Sequence, residues 1–314
     1  MIRKIIKQGN KSYTFTLPID WIKEYNLKGS DEIEIIEDES SLIITPKKKA
    51  EDLRNEIVFD LQNFGERAIR NIINQAYRQG YDKITLHFHS KQQIELINDI
   101  TENSLLGFAV VEEKNERCVL QNIAEPSKDR YDIILRRVFL TIKIDSEEIL
   151  SDFQNGNQQN MEKRIQQKNV FDKYTNYLRR VILSHKIGGR RNSYLLYHLI
   201  SQLSVIYHTY YYLSKTADKM KIKTLEKDVE GIFVKVNDHF MDLYHEYFNN
   251  DLNLDYKIGM QKIKIFEENI YPLMTKNSKQ NVIVYHLGEI TRLVQLSSSV
   301  VHGMIANPKK DSSE

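Results

Sequence analysis

Along "DEIEIIED", the acids Glu32 and Glu34 alternate with Ile33 and Ile35, the period of a half-buried strand. Similar short stretches fill the first part of the chain. "IRKIIKQ" (2–8) and "SYTFTL" (12–17) read as strands joined at Gly9-Asn10, a pair suited to a tight turn with positive φ. Pro18 fits the first position of a short helix, "PIDWIKEY", because its missing N–H is unpaired there anyway. "DEIEIIED" and "SLIITP" predict a second hairpin around Glu39-Ser40, and Pro46 with Lys47, Lys48 and Lys49 closes a zone spanning 1–49. Four short strands and one helical turn enclose a very small core, so this zone is marginal alone and calls for a partner subunit.

The period then lengthens. Residues 50–80 carry apolar positions at helical spacing and end on Gly80, which predicts a long linker helix. "KITLHFH" is strand-like and places His87 and His89 on one face. Ser90 is a candidate cap for a helix over 90–106, and "FAVVEE" and "RCVLQNI" predict two further strands. The zone 50–125 is therefore expected to be a linker helix followed by a small α/β module of the β-α-β-β kind. From 126 to 307 nearly everything is helical, with helices predicted near 128–153, 157–185, 191–217, 222–249, 255–275 and 280–306. Long helices with short links make a bundle. "FDKYTNY" (171–177) echoes "MDLYHEY" (241–247), and "YHL" at 197–199 echoes "YHL" at 285–287, so the bundle is expected to contain two repeats. Residues 308–314 are expected to form a disordered tail.

Composition narrows the functional classes. Of 314 residues, 41% are hydrophobic and 28% charged, and the formal net charge of +2 gives no global pull toward nucleic acid or membrane, so any such function rests on local charge. The single cysteine, Cys118, excludes an internal disulfide and reads as a reduced, buried thiol. No apolar run reaches membrane-spanning length, and polar "KQGNKS" follows "MIRKII" where a signal peptide needs an apolar core; a cytoplasmic protein without membrane insertion is expected. The chain has no phosphate-binding Gly-x-x-x-x-Gly-Lys loop, nucleophile elbow or metalloprotease helix, so neither an enzyme nor a cofactor is expected.

Local charge is concentrated at the start. Before Asp20 the chain has Arg3, Lys4, Lys7 and Lys11 and no acid, with Gln8, Asn10, Ser12, Thr14 and Thr16 adding neutral hydrogen-bonding groups. Lys and Arg neutralise phosphates, and Gln and Asn can read base edges. The residues alone leave two readings open, a DNA-facing surface and a solvated hairpin.

"IKQGNKSYTFTLPIDWIKEYNLKGSDEIEI" resembles the AbrB/MazE-type swapped-hairpin DNA-binding domain, in its Gly9–Ser12 turn region, Leu17-Pro18, the spaced Leu27, and Asp31 before a β-branched strand. The family usually has Gly-Asp after the helix; here Ser30 precedes Asp31, and Gly29 lies one place earlier. The resemblance covers about the first 46 residues. It implies an intertwined homodimeric β-barrel that binds double-stranded DNA through Arg3, Lys4, Lys7, Gln8, Asn10, Lys11 and Ser12. The helical zone resembles PhoU, the regulator of phosphate uptake, in its two-repeat layout and in "NDHFMDLYHEYF". That implies a link to phosphate homeostasis and a protein partner such as a phosphate-transporter ATPase or a signalling kinase. PhoU bundles often hold metal clusters on acidic pairs four residues apart, which makes Asp238 and Asp242 candidate ligands. Residues 190–215 contain no Asp or Glu and 281–307 only Glu289, so salt bridging or a solvated face is the expected role of this pair, and no metal is expected. The expected fold is thus multidomain and mainly α: a dimeric swapped-hairpin barrel, a small α/β module and a PhoU-like bundle. The expected function is a DNA-binding transcription regulator. The alternative is a PhoU-type interaction protein that binds no DNA.

Overall fold

A computed structural model describes residues 2–9, 12–38, 41–46, 56–124, 130–185 and 187–306. The chain divides into two compact units, Met1–Arg54 and Asn55–Glu314.

The first unit contains β1 (Ile6–Gln8), β2 (Ser12–Thr14), α1 (Ile19–Glu24), β3 (Ile33–Asp38) and β4 (Ser41–Pro46). Strands β1 and β2 pair antiparallel with Lys7 opposite Tyr13, and β3 and β4 with Ile35 opposite Ile44. The first hairpin is shorter than its sequence pattern predicts. Residues Asn10, Lys11, Glu39 and Ser40, assigned to the two turns, lie outside the described residues, as do Lys47, Lys48 and Lys49. Pro18 stands just before α1 rather than inside it. Its ψ of 130° is extended, and its carbonyl accepts the Ile22 N–H at 3.1 Å. After the helix, the Asp31 carboxylate accepts the Lys28 N–H at 2.7 Å, and the Asp31 N–H donates to the Lys28 carbonyl at 3.1 Å. Ser30, inside this turn, has φ +82°, the left-handed conformation that glycine adopts without penalty. Its strands form two separate two-stranded sheets, and no closed sheet exists among the described residues. Pro46 is the one buried residue among the described side chains of this unit.

The second unit opens with a strand where the periodicity predicts the start of a helix. Within the predicted helix 50–80, residues 50–55 lie outside the described residues. Glu56–Asp60 is β5, and only Glu66–Arg78 is helical (α2). Ile57 and Phe59 turn inward while Glu56, Val58 and Asp60 face solvent, a period of two. The spacing of Ile57, Leu61 and Phe64 also fits a helix; what selects the strand is parallel pairing with β6 (Lys83–His87), which neither segment announces locally. Then follow α3 (Lys91–Ser104), β7 (Phe108–Lys114) and β8 (Arg117–Asn122). Ser90 caps α3 as predicted, its hydroxyl accepting the Gln93 N–H at 3.3 Å. The sheet order is β5-β6-β8-β7, so the module is β-α-β-α-β-β rather than β-α-β-β. Its core holds Leu61, Ile69, Ile73, Tyr77, Ile84, Leu86, Ile97 and Leu120, with Cys118 inside it; burial pushes the Cys118 thiol up to about 12. Because β6 ends at His87, His89 leaves the sheet and its Nε2 lies 2.7 Å from Asp60 Oδ1.

The helices are α4 (Tyr131–Gln154), α5 (Met161–His185), α6 (Gly189–Met220), α7 (Lys227–Asn249), α8 (Asn253–Lys264), a π-helical segment (Ile265–Ile270), α9 (Tyr271–Met274) and α10 (Asn281–Ile305). One hydrophobic cluster runs through all the long helices, from Leu135 and Phe139 through Phe171, Leu203 and Phe240 to Leu287 and Val301. The π-helical segment precedes Pro272, whose missing N–H disrupts regular α-helical bonding. This segment lies close to α10 at Gly288, where a Cβ would meet Ile270 at 3.3 Å and Phe266 at 3.6 Å.

Buried Arg180 of α5 locks the α/β module to the bundle. Its guanidinium donates to the carbonyls of Tyr77 (3.0 Å) and Tyr81 (2.8 Å), and to Asp82 (2.5 Å). It also lies 5.2 Å from the Tyr77 ring and 5.1 Å from the Phe108 ring. No helix among the described residues is long and apolar enough to cross a membrane.

Candidate nucleic-acid interface

Lys7 and Gln8 in the first hairpin, and Arg3 and Lys4 just before it, are exposed. None of the three cations forms an ion pair with a described residue. Directly opposite residues of an antiparallel pair share a face and neighbours along a strand do not. Lys7 therefore shares a face with Tyr13, and Gln8 shares the other with Ser12. The Ser12 hydroxyl donates to the Gln8 main-chain carbonyl. That bond ties the two ends of the turn together, so Ser12 acts first on the hairpin's own geometry. Arg3 and Lys4 precede β1 and are outside the ladder. Asn10 and Lys11 lie outside the described residues. The hairpin thus brings Gln8 and Ser12 together and puts Lys7 on the opposite face, a split that follows from register and that composition alone does not show.

The family model described as antidote-toxin recognition MazE, bacterial antitoxin, matches residues 6–52. The chain therefore begins with a MazE/AbrB-type domain. Comparisons with curated proteins and with solved structures gave no match.

In the bundle, the candidate pair Asp238 and Asp242 separates. Asp238 is exposed, and Asp242 pairs with Lys257 at 2.7 Å. At the positions that the expected repeat sets against Asp238 and Asp242, α5 has Lys168 and Asp172. Asp172 bonds both Lys168 (2.6 Å) and His208 (2.8 Å). Burial opposes ionisation of Asp172, but His208 and Lys168 outweigh it and hold the carboxyl below the usual range. Glu148 and Asp152 likewise pair with Arg164, which is buried and lies 2.9 Å from each, and Lys163 adds a second cation 3.0 Å from Glu148.

A third acidic site is not evident from local spacing. Glu246 of α7, Asp255 of α8 and His302 of α10 meet at one end of the bundle, one ligand atom of each lying within 4.8 Å of the others. Ser298 Oγ lies 2.7 Å from Glu246 Oε2 and 2.9 Å from Asp255 Oδ1. Burial, aided by Asp255 and Asp251, pushes the Glu246 carboxyl up to about 7 despite its bond to Ser298. Glu246 lies one helical turn beyond Asp242 and two beyond Asp238, so extending that acidic spacing by one step reaches Glu246, but not Asp255 or His302 on the other helices.

Proposed function

We propose that the protein is a homodimeric DNA-binding transcription regulator. Its first unit, paired with that of a second copy, grips double-stranded DNA, and its helical bundle receives a signal connected with phosphate status. The observation that carries the DNA-binding part is the match of a MazE-type model to residues 6–52, at whose start the described cations Arg3, Lys4 and Lys7, in or just before the first strand, stand exposed and pair with no described acid. Arg3, Lys4, Lys7 and Lys11 supply phosphate contacts, and Gln8 and Asn10 the base-selective ones. A hairpin that enters a groove by its Gly9 end can use both faces, which suits the placement of Lys7 and Gln8 on opposite sides. Support for the phosphate link is the resemblance of the helical zone to PhoU. Signalling then works by population shift: a partner that prefers one arrangement of the bundle changes how the first unit engages DNA.

The test is binding of duplex DNA across a range of salt concentrations. The Lys7→Ala/Lys11→Ala variant should bind more weakly, and its slope of log affinity against log salt should shrink by roughly one unit for each phosphate that is no longer neutralised. A wild-type protein that does not shift duplex DNA even at low salt refutes the proposal. The family description names toxin recognition, so a protein partner that persists after nuclease treatment, with no DNA bound, would put an interaction protein in its place. Genome-wide mapping of bound DNA in high and low phosphate tests the remaining part; occupancy indifferent to phosphate removes that link.

A further inference from the structure

We propose that Glu246, Asp255 and His302 form a binding site for a divalent transition-metal ion, with the Ser298 hydroxyl at its edge. Glu246 is 0% exposed, and its Oε1 has no hydrogen-bond partner among the described residues. His302 Nδ1, 4.0 Å from Asp255 Oδ2, is buried and also lacks one. Two unpaired ligand atoms in one cluster are costly unless something fills the space between them.

Charge and proton counting point the same way. Ser298 has one hydroxyl hydrogen but lies within bonding distance of two carboxylates, so it can donate to only one of them. The second contact needs a proton on a carboxyl or a cation in common. No Lys or Arg pairs with Glu246 or Asp255 among the described residues, whereas Asp172, Asp242, Glu148 and Asp152 have Lys168, Lys257 and Arg164. Two carboxylates and a neutral imidazole match the charge of a divalent ion and suit Zn²⁺ or its first-row neighbours; an imidazole ligand disfavours Mg²⁺ and Ca²⁺. Ligands about 2.1 Å from such an ion stand some 3 to 4 Å apart, so the cluster need only contract slightly. Asp255 and His302 are partly exposed and leave an entry path. The site is distinct from Asp238 and Asp242, since Asp238 is exposed and Asp242 is held by Lys257.

The experiment is titration of the untagged full-length protein, stripped with a chelator, with Zn²⁺ by calorimetry, alongside thermal unfolding with and without the ion. Wild type should take up about one equivalent per chain and gain melting temperature. Asp255→Asn and His302→Gln change partly exposed side chains and should fold, yet bind at least about tenfold more weakly and lose the thermal gain. Asp238→Asn should bind like wild type. No Zn²⁺ binding by wild type, unaltered binding by both the Asp255 and His302 variants, or loss of binding only on changing Asp238 would each overturn the proposal.

Discussion

The two compact units differ most in what they bury. The second has two hydrophobic cores, one in the sheet module and one through the bundle, joined at the buried Arg180. The first has similar apolar content but leaves it outside: Ile35 is 53% exposed, Leu42 57% and Ile6 59%, with Pro46 alone buried among the described side chains. Two short hairpins cannot enclose their own apolar faces, because a small unit has too little interior for its surface. The difference teaches where stability must come from. The second unit draws it from its own packing, whereas the first leaves its apolar faces uncovered among the described residues, and the proposed homodimer would supply the covering surface.

Truncation of apolar side chains should break the symmetry most. Phe240→Ala, in the bundle core against Phe139, should cost about 3–5 kcal/mol at any protein concentration, read from urea unfolding followed by circular dichroism. Ile35→Ala should cost little in dilute protein and more as concentration rises; an equal cost at both ends would show that no second copy covers this face. Dilution alone sharpens the contrast next. Trp21 is the chain's only tryptophan and lies in the first unit, so its fluorescence reports that unit. Its unfolding midpoint should fall with about 1.4 kcal/mol of apparent stability per tenfold dilution, while the helical signal holds constant.

Histidine titration should act on the second unit alone, since the first contains no histidine. His239 is fully buried, with Nε2 3.3 Å from the Thr291 carbonyl and Nδ1 3.1 Å from the Gln261 side-chain amide. Burial lowers its pKa below the ordinary 6.5, so below that pH the unfolded chain takes up a proton that the folded ring refuses. Its share of stability is complete above pH 6.5 and is lost as pH falls toward the folded pKa, by no more than about 1.4 kcal/mol per unit. Glu246 runs the other way in metal-free protein: its raised pKa lets the fold gain stability as pH drops through about 7. Comparing wild type with His239→Gln between about pH 7.5 and 5.5 isolates the histidine, and a variant with the same pH dependence as wild type would refute its role. The smallest effect is expected at Ser30. Glycine there relieves the positive φ, so Ser30→Gly should stabilise the first unit by about 1 kcal/mol, read by Trp21 fluorescence.

What was legible in the chain was mostly local. The two hairpins of the first unit, the Ser90 cap and the helical span from 131 to 305 were all announced by period, turn residues and caps. The basic character of the first hairpin was equally plain. Period failed at 56–60, where an apolar spacing compatible with a helix becomes a strand because β6 offers a parallel partner. Among the acids, spacing drew attention to Asp238 and Asp242, which part company, one to solvent and one to Lys257. Glu246, Asp255 and His302 remained separate because no local pattern links positions on three different helices.

The sequence by itself determined what depends on neighbours a few residues away: helical and strand periods, the positive charge before Asp20, and an amino-terminal pattern that a MazE-type model matches. Tertiary structure alone decided which carboxylates find a cation and that one guanidinium joins module to bundle. The reason is physical. Backbone preferences act over single turns, whereas burial and charge pairing depend on which distant segments the packed core brings within a few ångströms.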